Sequence, residues 1–475
     1  MFSSAKPACR SLVVAAALAD IPVTPANGRR AALFLGYRPW EVYSEPMCNR
    51  KFGRFIKLRG PNSPEQCLIR RRVIYVSGYD PQGPLGYYAL FGSQLKRACA
   101  LWHTKFVLGP LAIESADIAS WTITMGGPNW QVFTRYDFIC QENLINANCA
   151  EPIIRQIFRA VRWMLNDLAT GTTFRVFRAN WQFGMHHLVL QLLLLSWIAA
   201  SVAAGVLAGY IAGHNLGMAR SIEIGISVAF AFAIFMALRP LANRWLVIRV
   251  NNHWPYLREF GRGQASCFDR PIEIGAARLK DLVNSNDADE VVIIGHSGGA
   301  PLAQCMLARA LELDHDLGLR GPRIVVLAIG SITPAVAFHP RALKMREIIR
   351  RLAVEPSITW IECQSRKDAL NFWGFDPVSG VGIELGPERC NPLVWQLRFR
   401  DMLSPEFYRK LRWKLFRLHF QYIMANHVRA PYDYFMLIGG PVPIIEWAKR
   451  QREAIAEFAP DGKYLLAPQS TGSTQ

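Results

Sequence analysis

An uncharged stretch in the middle of the chain limits its fold more than any other feature. No Asp, Glu, Lys or Arg occurs between residues 179 and 219. The apolar run 188–212 inside this stretch exceeds the ~20 residues with which a helix crosses a bilayer. A second, shorter apolar run follows closely at 222–238. The two runs predict a transmembrane helical hairpin, and the alternative is a hairpin buried in a large soluble core.

The positions of the arginines predict how this hairpin is oriented. The connector 213–221 holds one cation, Arg220. Arginines accumulate on both outer flanks, at Arg162, Arg175, Arg178, Arg239, Arg244 and Arg249. Because cytoplasmic loops carry the excess of basic residues, both long flanks are predicted to be cytoplasmic, in a multi-pass membrane protein.

The N-terminus has the outline of a signal peptide. Lys6 and Arg10 precede a minimal apolar segment at 11–19, which is the order of charge and apolar residues that export signals use. Cleavage after this segment would send the remaining chain outward, against the distribution of the arginines. We therefore interpret the segment as a short tail, with export as the alternative.

The composition indicates which partners to expect. Hydrophobic residues make up 51% of the chain and charged residues 19%, which is more apolar than an ordinary soluble enzyme. The net charge of +18 favours an anionic neighbour. Since the arginines lie around the apolar runs and no nucleic-acid-binding motif occurs, we expect a lipid bilayer rather than nucleic acid. The ten cysteines are scattered singly, which predicts neither a disulfide framework nor a metal site. No cofactor is expected.

The segment Gly295-His296-Ser297-Gly298-Gly299 carries the clearest chemical signal. The β-branched run 291–294 precedes it and the small-residue stretch 300–311, with helical spacing, follows it. A sharp turn between a strand and a helix exposes a serine oxygen and leaves space only for small residues two places away on either side. The pattern predicts Ser297 as a nucleophile, with the helix N-terminus directing backbone amides at a developing oxyanion.

With this segment the chain resembles the α/β-hydrolase superfamily, and more specifically its bacterial membrane-embedded, lipase-like members, over residues 70–140 and 265–455. The resemblance implies an α/β fold with a mainly parallel eight-stranded sheet, helices on both faces and a triad in the order Ser, Asp or Glu, His. The hairpin falls between the two matched parts and is therefore predicted to be an insertion. Strands are predicted at 72–76, 323–329, 357–362 and 393–398.

These features divide the chain into five predicted parts. A basic lead-in covers 1–62, the first part of the hydrolase domain 63–165, and the hairpin with its flanks 166–250. The second part of the hydrolase domain, with the catalytic turn, covers 251–458, and a disordered tail covers 459–475.

In the family, one oxyanion amide comes from the residue after the nucleophile, here Gly298, and another from the loop after the third strand. Tyr79 or Gly78 matches that second place, and we take Tyr79. An ordinary turn at this point is the alternative.

The resemblance also places the acid just past the second strand after the nucleophile. Asp368 is the first candidate and Asp376 the second, and either could instead cap a turn. The base must follow the acid, which leaves His419 and His427. We favour His419 for its aromatic surroundings, although its segment has helical spacing, where a histidine of the core is also expected.

Together these residues predict a membrane-anchored serine hydrolase, lipase-like or esterase-like, that cleaves an ester or thioester. His419 would take the proton from Ser297, Asp368 would orient the imidazole, and water would hydrolyse the acyl-enzyme. The substrate expected beside a bilayer is an acyl ester or a lipid-like small molecule. The alternatives are an acyltransferase with the same triad and a non-catalytic membrane scaffold with the same fold.

Overall fold

The computed structural model describes residues 67–244 and 247–465. The predicted lead-in 1–62, with its signal-like segment, lies outside the described residues, as do residues 466–475. The predicted tail begins at 459, but the chain is placed up to 465: Tyr464 is buried and forms a β-bridge with Phe458. The Trp130 indole also donates to the Gly462 carbonyl at 2.9 Å. The ordered chain therefore extends past residue 459.

The described residues form a nine-stranded mixed β-sheet with the order β2-β4-β5-β1-β6-β7-β8-β9, in which β3 pairs with β4. The strands are β1 (Cys67–Val76), β2 (Lys105–Leu108), β3 (Ala112–Ile113), β4 (Ile118–Gly126), β5 (Trp130–Ile139), β6 (Glu290–His296), β7 (Arg323–Ile329), β8 (Ile358–Ser365) and β9 (Leu393–Leu397). The run from β5 to β9 through β1 is parallel, whereas β2, β3 and β4 form an antiparallel end.

The α/β class is confirmed, but the prediction of eight strands is wrong and the sheet is not purely parallel. The antiparallel end has a local cause. Only residues 127–129 separate β4 from β5, and so short a connection joins antiparallel neighbours, since parallel strands need a long crossover.

Helices cover both faces of the sheet. The α-helices are α1 (Pro84–Trp102), α2 (Glu142–Cys149), α3 (Ile153–Ala169), α4 (Thr172–Ala179), α5 (Trp181–Tyr210), α6 (Arg220–Arg244), α7 (Val247–Gly261), α8 (Asp269–Asn284), α9 (Gly299–Leu313), α10 (Thr333–Ala337), α11 (Leu343–Val354), α12 (Pro405–Leu411), α13 (Leu415–His419), α14 (Tyr434–Gly439), α15 (Ile444–Arg450) and α16 (Arg452–Ala456). A π-helical turn, Ile211–Asn215, extends α5, and 3-10 turns occur at Ser266–Phe268, Ser379–Val381, Phe399–Asp401 and Phe420–Ile423.

Successive residues of the central strands enter two different cores. In β6, Val292 and Ile294 belong to a cluster with residues of α1 and α14, whereas Val291 and Ile293 belong to one with residues of α8 and α9. Side chains of a strand alternate between the faces of a sheet, so a strand covered on both faces is apolar at every position. This explains the continuous apolar run before Ser297.

Two long helices lie between β5 and β6 in the chain. The segments Trp181–Asn215 and Arg220–Asn243 are long and apolar enough to cross a membrane. They pack closely, since a Cβ added at Gly205 would lie 2.7 Å from the Ala231 Cβ and one added at Gly209 would lie 2.9 Å from the Glu223 carbonyl oxygen. Small residues allow this approach between apolar helices. Their outer faces stay exposed and apolar, at Val202, Val206, Val228, Phe230 and Phe232 among others.

The helix after the hairpin, α7, connects it to the sheet. Asn251 Nδ2 donates to the Leu190 carbonyl of α5 at 3.0 Å. Further along α7, the guanidinium of Arg258 donates to both carboxylate oxygens of Asp167, at 3.1 and 2.8 Å, and both side chains are buried. These bonds fix α7 against α5 and α3.

Candidate active site

Ser297 occupies a sharp turn between β6 and α9. Its φ of 58° is left-handed, which is uncommon for a residue with a side chain. Its amide donates to the Ile329 carbonyl at 3.0 Å. A Cβ at Gly295 would lie 2.8 Å from the Ala300 nitrogen, and one at Gly299 would lie 2.8 Å from the carbonyl carbon of Val76. Both flanking positions therefore require glycine, and the turn exposes the hydroxyl of Ser297 at the end of the strand.

The loop after β1 lies directly beside this turn. A Cβ at Gly78 would lie 3.1 Å from the Ser297 Cβ and 3.5 Å from the Gly298 nitrogen. The Tyr79 nitrogen lies 3.6 Å from the corresponding Cβ position of Gly298. Within the described part of the chain, the amides of Tyr79 and Gly298 donate to no acceptor. The structure thus brings two free amides together beside Ser297, which is the arrangement that an oxyanion hole needs.

Asp368 and His419 form a buried pair. His419 Nδ1 lies 2.7 Å from Asp368 Oδ2, and both side chains are almost fully buried. The other carboxylate oxygen accepts from the Leu370 amide at 2.9 Å. Since a carboxylate can only accept, the proton of a neutral His419 is assigned to Nδ1. Nε2 is then an acceptor, and it is buried with no hydrogen-bond partner among the described residues.

The imidazole of His419 lies against the ends of β6 and β7. It stacks on His296, the residue before Ser297, with the ring centroids 5.0 Å apart. A Cβ at Gly330 would lie 2.9 Å from His419 Cε1. Gly330 directly follows Ile329, whose carbonyl accepts from Ser297. The pair of Asp368 and His419 therefore meets the turn that carries Ser297.

Burial, and then repulsion from the neighbouring His419 when that ring is protonated, lower the pKa of His296 to about 3. His296 is therefore neutral at physiological pH. It donates from Nε2 to the His419 carbonyl at 3.2 Å, which links the strand to the segment that carries the base.

The two second candidates have other partners. Asp376 accepts two hydrogen bonds from Arg389, at 2.7 and 2.8 Å. Burial raises the pKa of Asp376, but these bonds and that from the Val378 amide bring it below the ordinary value. His427 pairs with Arg97 at 2.9 Å and with Ser404 at 3.1 Å. His419 is thus bonded to Asp368, whereas Asp376 is bonded to Arg389 and His427 to Arg97.

A cavity of about 20 Å³ adjoins the two free amides, and Gly78, Tyr79 and Gly298 line it. Apolar side chains form most of the remaining wall, at Leu144, Ile145, Leu257, Phe260, Phe268 and Leu302. His253 of α7 enters the same cavity, and its ring stacks on Tyr79 with the centroids 4.3 Å apart. His253 could not be predicted from the sequence because it belongs to no motif. Its only local signal is a group of polar residues, 251–253, soon after the apolar runs.

Among the described residues, no group of three or more His, Cys, Asp or Glu side chains is placed to hold a metal ion. The structure places two free amides beside Ser297 and bonds His419 to Asp368. In the part of the chain that the structure describes, no hydrogen bond joins His419 Nε2 to Ser297. No protein-family model, curated protein or solved structure matches this chain.

Proposed function

We propose that the protein is a serine hydrolase of the α/β-hydrolase superfamily that cleaves an ester or thioester. The observation that carries this proposal is the buried hydrogen bond between His419 Nδ1 and Asp368 Oδ2. It assigns the proton to Nδ1 and leaves Nε2 as a base beside the turn of Ser297. A histidine that only filled the core would not need a buried carboxylate partner.

The reaction follows from these roles. Nε2 of His419 accepts the hydroxyl proton while Ser297 Oγ attacks the acyl carbon. The amides of Tyr79 and Gly298 donate to the oxygen that becomes negative in the tetrahedral intermediate. His419 then protonates the leaving alcohol or thiol, and an acyl-enzyme remains. Water, deprotonated by His419, releases the acid and restores Ser297, while Asp368 stabilises the imidazolium throughout.

The topology supports the superfamily assignment. Ser297 follows β6, in the parallel run of the sheet, and Asp368 follows β8, two strands further along. His419 comes after β9. This gives the chain order nucleophile, acid, base that is typical of α/β-hydrolases. The antiparallel end lies on the opposite side of β6 from β8 and does not interrupt this arrangement.

We further propose that α5 and α6 anchor the enzyme in a bacterial inner membrane, with the catalytic body on the cytoplasmic side. The support is the exposed apolar outer face of both helices together with the arginines on their flanks. An anchored site lies near the bilayer surface, which favours an acyl ester or a lipid-like substrate.

The test is labelling of the detergent-solubilised full chain with a fluorophosphonate probe, which reacts with an activated serine. We expect labelling of the native chain, none of Ser297→Ala, and slow labelling of His419→Ala. His427→Gln serves as the matched control and keeps the native rate, since His427 has other partners. A folded native chain that does not label would contradict the proposal and favour the non-catalytic scaffold.

A further inference from the structure

The imidazole of His253 lies close to the free amides of Tyr79 and Gly298. A Cβ placed on Gly298 would lie 3.4 Å from His253 Cε1, 3.5 Å from its Nε2 and 3.6 Å from the Tyr79 nitrogen. The imidazole edge and the Tyr79 amide therefore border the same point beside Gly298. This imidazole belongs neither to the pair of Asp368 and His419 nor to the turn of Ser297.

Neither ring nitrogen of His253 forms a hydrogen bond within the described part of the chain. Other polar groups around the cavity have partners: Gln141 Nε2 donates to the Ser77 carbonyl at 3.2 Å, and the Tyr256 hydroxyl donates to Glu151 at 3.3 Å. A half-buried imidazole without a partner has hydrogen-bonding capacity left for a bound molecule.

The protonation state of His253 suits donation without proton transfer. Burial lowers its pKa to about 3. At physiological pH the ring is therefore neutral, with one N–H to donate and one lone pair. A neutral imidazole can stabilise a developing negative oxygen while it keeps its proton.

The surroundings hold the ring in place. Its face stacks on Tyr79 at an interplanar angle of 20°. The preceding residue on α7 is Asn252. Its side-chain oxygen accepts from Arg159, and its side-chain Nδ2 donates to the Asn148 carbonyl at 3.4 Å. The following residue, Trp254, packs its ring edge-on against Phe183. A donor fixed before the reaction costs little reorganisation when the oxyanion forms.

We propose that His253 is a third oxyanion donor, whose imidazole N–H bonds to the same substrate oxygen as the amides of Tyr79 and Gly298. The inference rests on the proposed serine hydrolase function. No bond to His253 forms or breaks, since the imidazole keeps its proton throughout. The residue touches the reacting oxygen and is in this sense catalytic.

The experiment compares His253→Phe with the native chain, using the fluorophosphonate and p-nitrophenyl acetate. Phe keeps the aromatic ring against Tyr79 but has no N–H. We expect kcat and the labelling rate to fall about 10²-fold, the effect of losing one oxyanion donor. KM should change little because the bond strengthens only as charge develops. Affinity for a trifluoromethyl ketone, which forms an oxyanion with the serine, should fall by a similar factor.

Tyr256→Phe is the control, since it lines the same cavity and its hydroxyl points to Glu151. His253→Ala, with and without added imidazole, gives a second variant in case Phe disturbs folding, and we expect imidazole to restore part of the rate. Native kcat in a folded His253→Phe or His253→Ala would overturn the inference while leaving the serine hydrolase intact. A native chain that never labels would instead remove the function on which it rests.

Discussion

Asp368 determines which nitrogen of His419 carries the proton. Asn in its place has nearly the same size but can donate to Nδ1, which would move the imidazole proton to Nε2 and remove the base. We therefore expect Asp368→Asn to lower the rate of acylation about 10⁴-fold. The measurement is single-turnover acylation by the fluorophosphonate, with thermal unfolding monitored in parallel. Asp376→Asn, whose native side chain pairs with Arg389, should stay within a few-fold of the native rate, and equal losses in both variants would contradict the assigned role.

Local sequence predicts some of these residues better than others. Ser297 and Gly298 follow from a turn whose steric demands are visible within five residues. Asp368 and Asp376 could not be separated in this way, because both follow the same strand. The distinction lies in tertiary partners, His419 for one and Arg389 for the other. His253 is harder still to predict, because only the packing of α7 brings it to the site.

At the scale of elements, the contact between α5 and α6 depends on glycine. A Cβ at Gly209 would lie 2.9 Å from the Glu223 carbonyl oxygen, so a larger side chain must push the helices apart. We expect Gly209→Leu to destabilise the protein in detergent by about 1–3 kcal/mol, the usual range for overpacking. Intrinsic fluorescence during thermal unfolding would measure this loss.

Gly225 of α6 provides the matched control, because a Cβ there meets nothing within 4 Å. Gly225→Leu makes the same chemical change on the outer face and should leave the melting temperature nearly unchanged. Equal destabilisation by both substitutions would show that the close contact between α5 and α6 does not depend on glycine at position 209.

The limits of β1 show why element boundaries could not all be predicted. The apolar pattern indicated 72–76, whereas the strand covers Cys67–Val76. Arg71 lies in a buried part of the strand, where it pairs with Glu290 at 2.8 Å, and Arg72 pairs with Asp287. These acids are distant in sequence, so nothing near Arg71 in the chain indicates that the strand begins before residue 72.

For the whole molecule, the orientation in the membrane can be tested with cysteines. The connector residue His214 lies at the far end of the hairpin, whereas Cys390 is an exposed thiol of the body. We expect a membrane-impermeant maleimide to label His214→Cys in intact spheroplasts, because the proposed topology puts the connector outside. The native chain should label only after lysis. Labelling of the native chain in intact spheroplasts would reverse the proposed orientation.

The general architecture was the easier part to predict, because alternation of strands and helices is a property of composition and spacing. The antiparallel end of the sheet was missed because it depends on the short turn at 127–129 and on pairing across the whole sheet. The position of α7 depends on contacts of the same long range, such as the bond between Asn251 and Leu190.

That position has a mechanical consequence. In the membrane-anchored enzyme that we propose, α6 ends at Arg244 and α7 begins at Val247, within two turns of His253. Spanning helices adjust their tilt to the thickness of the bilayer. A change in that tilt is either absorbed between α6 and Asn252 or transmitted as a displacement of the imidazole. In the enzyme as proposed, lipid thickness therefore acts on the helix that carries His253.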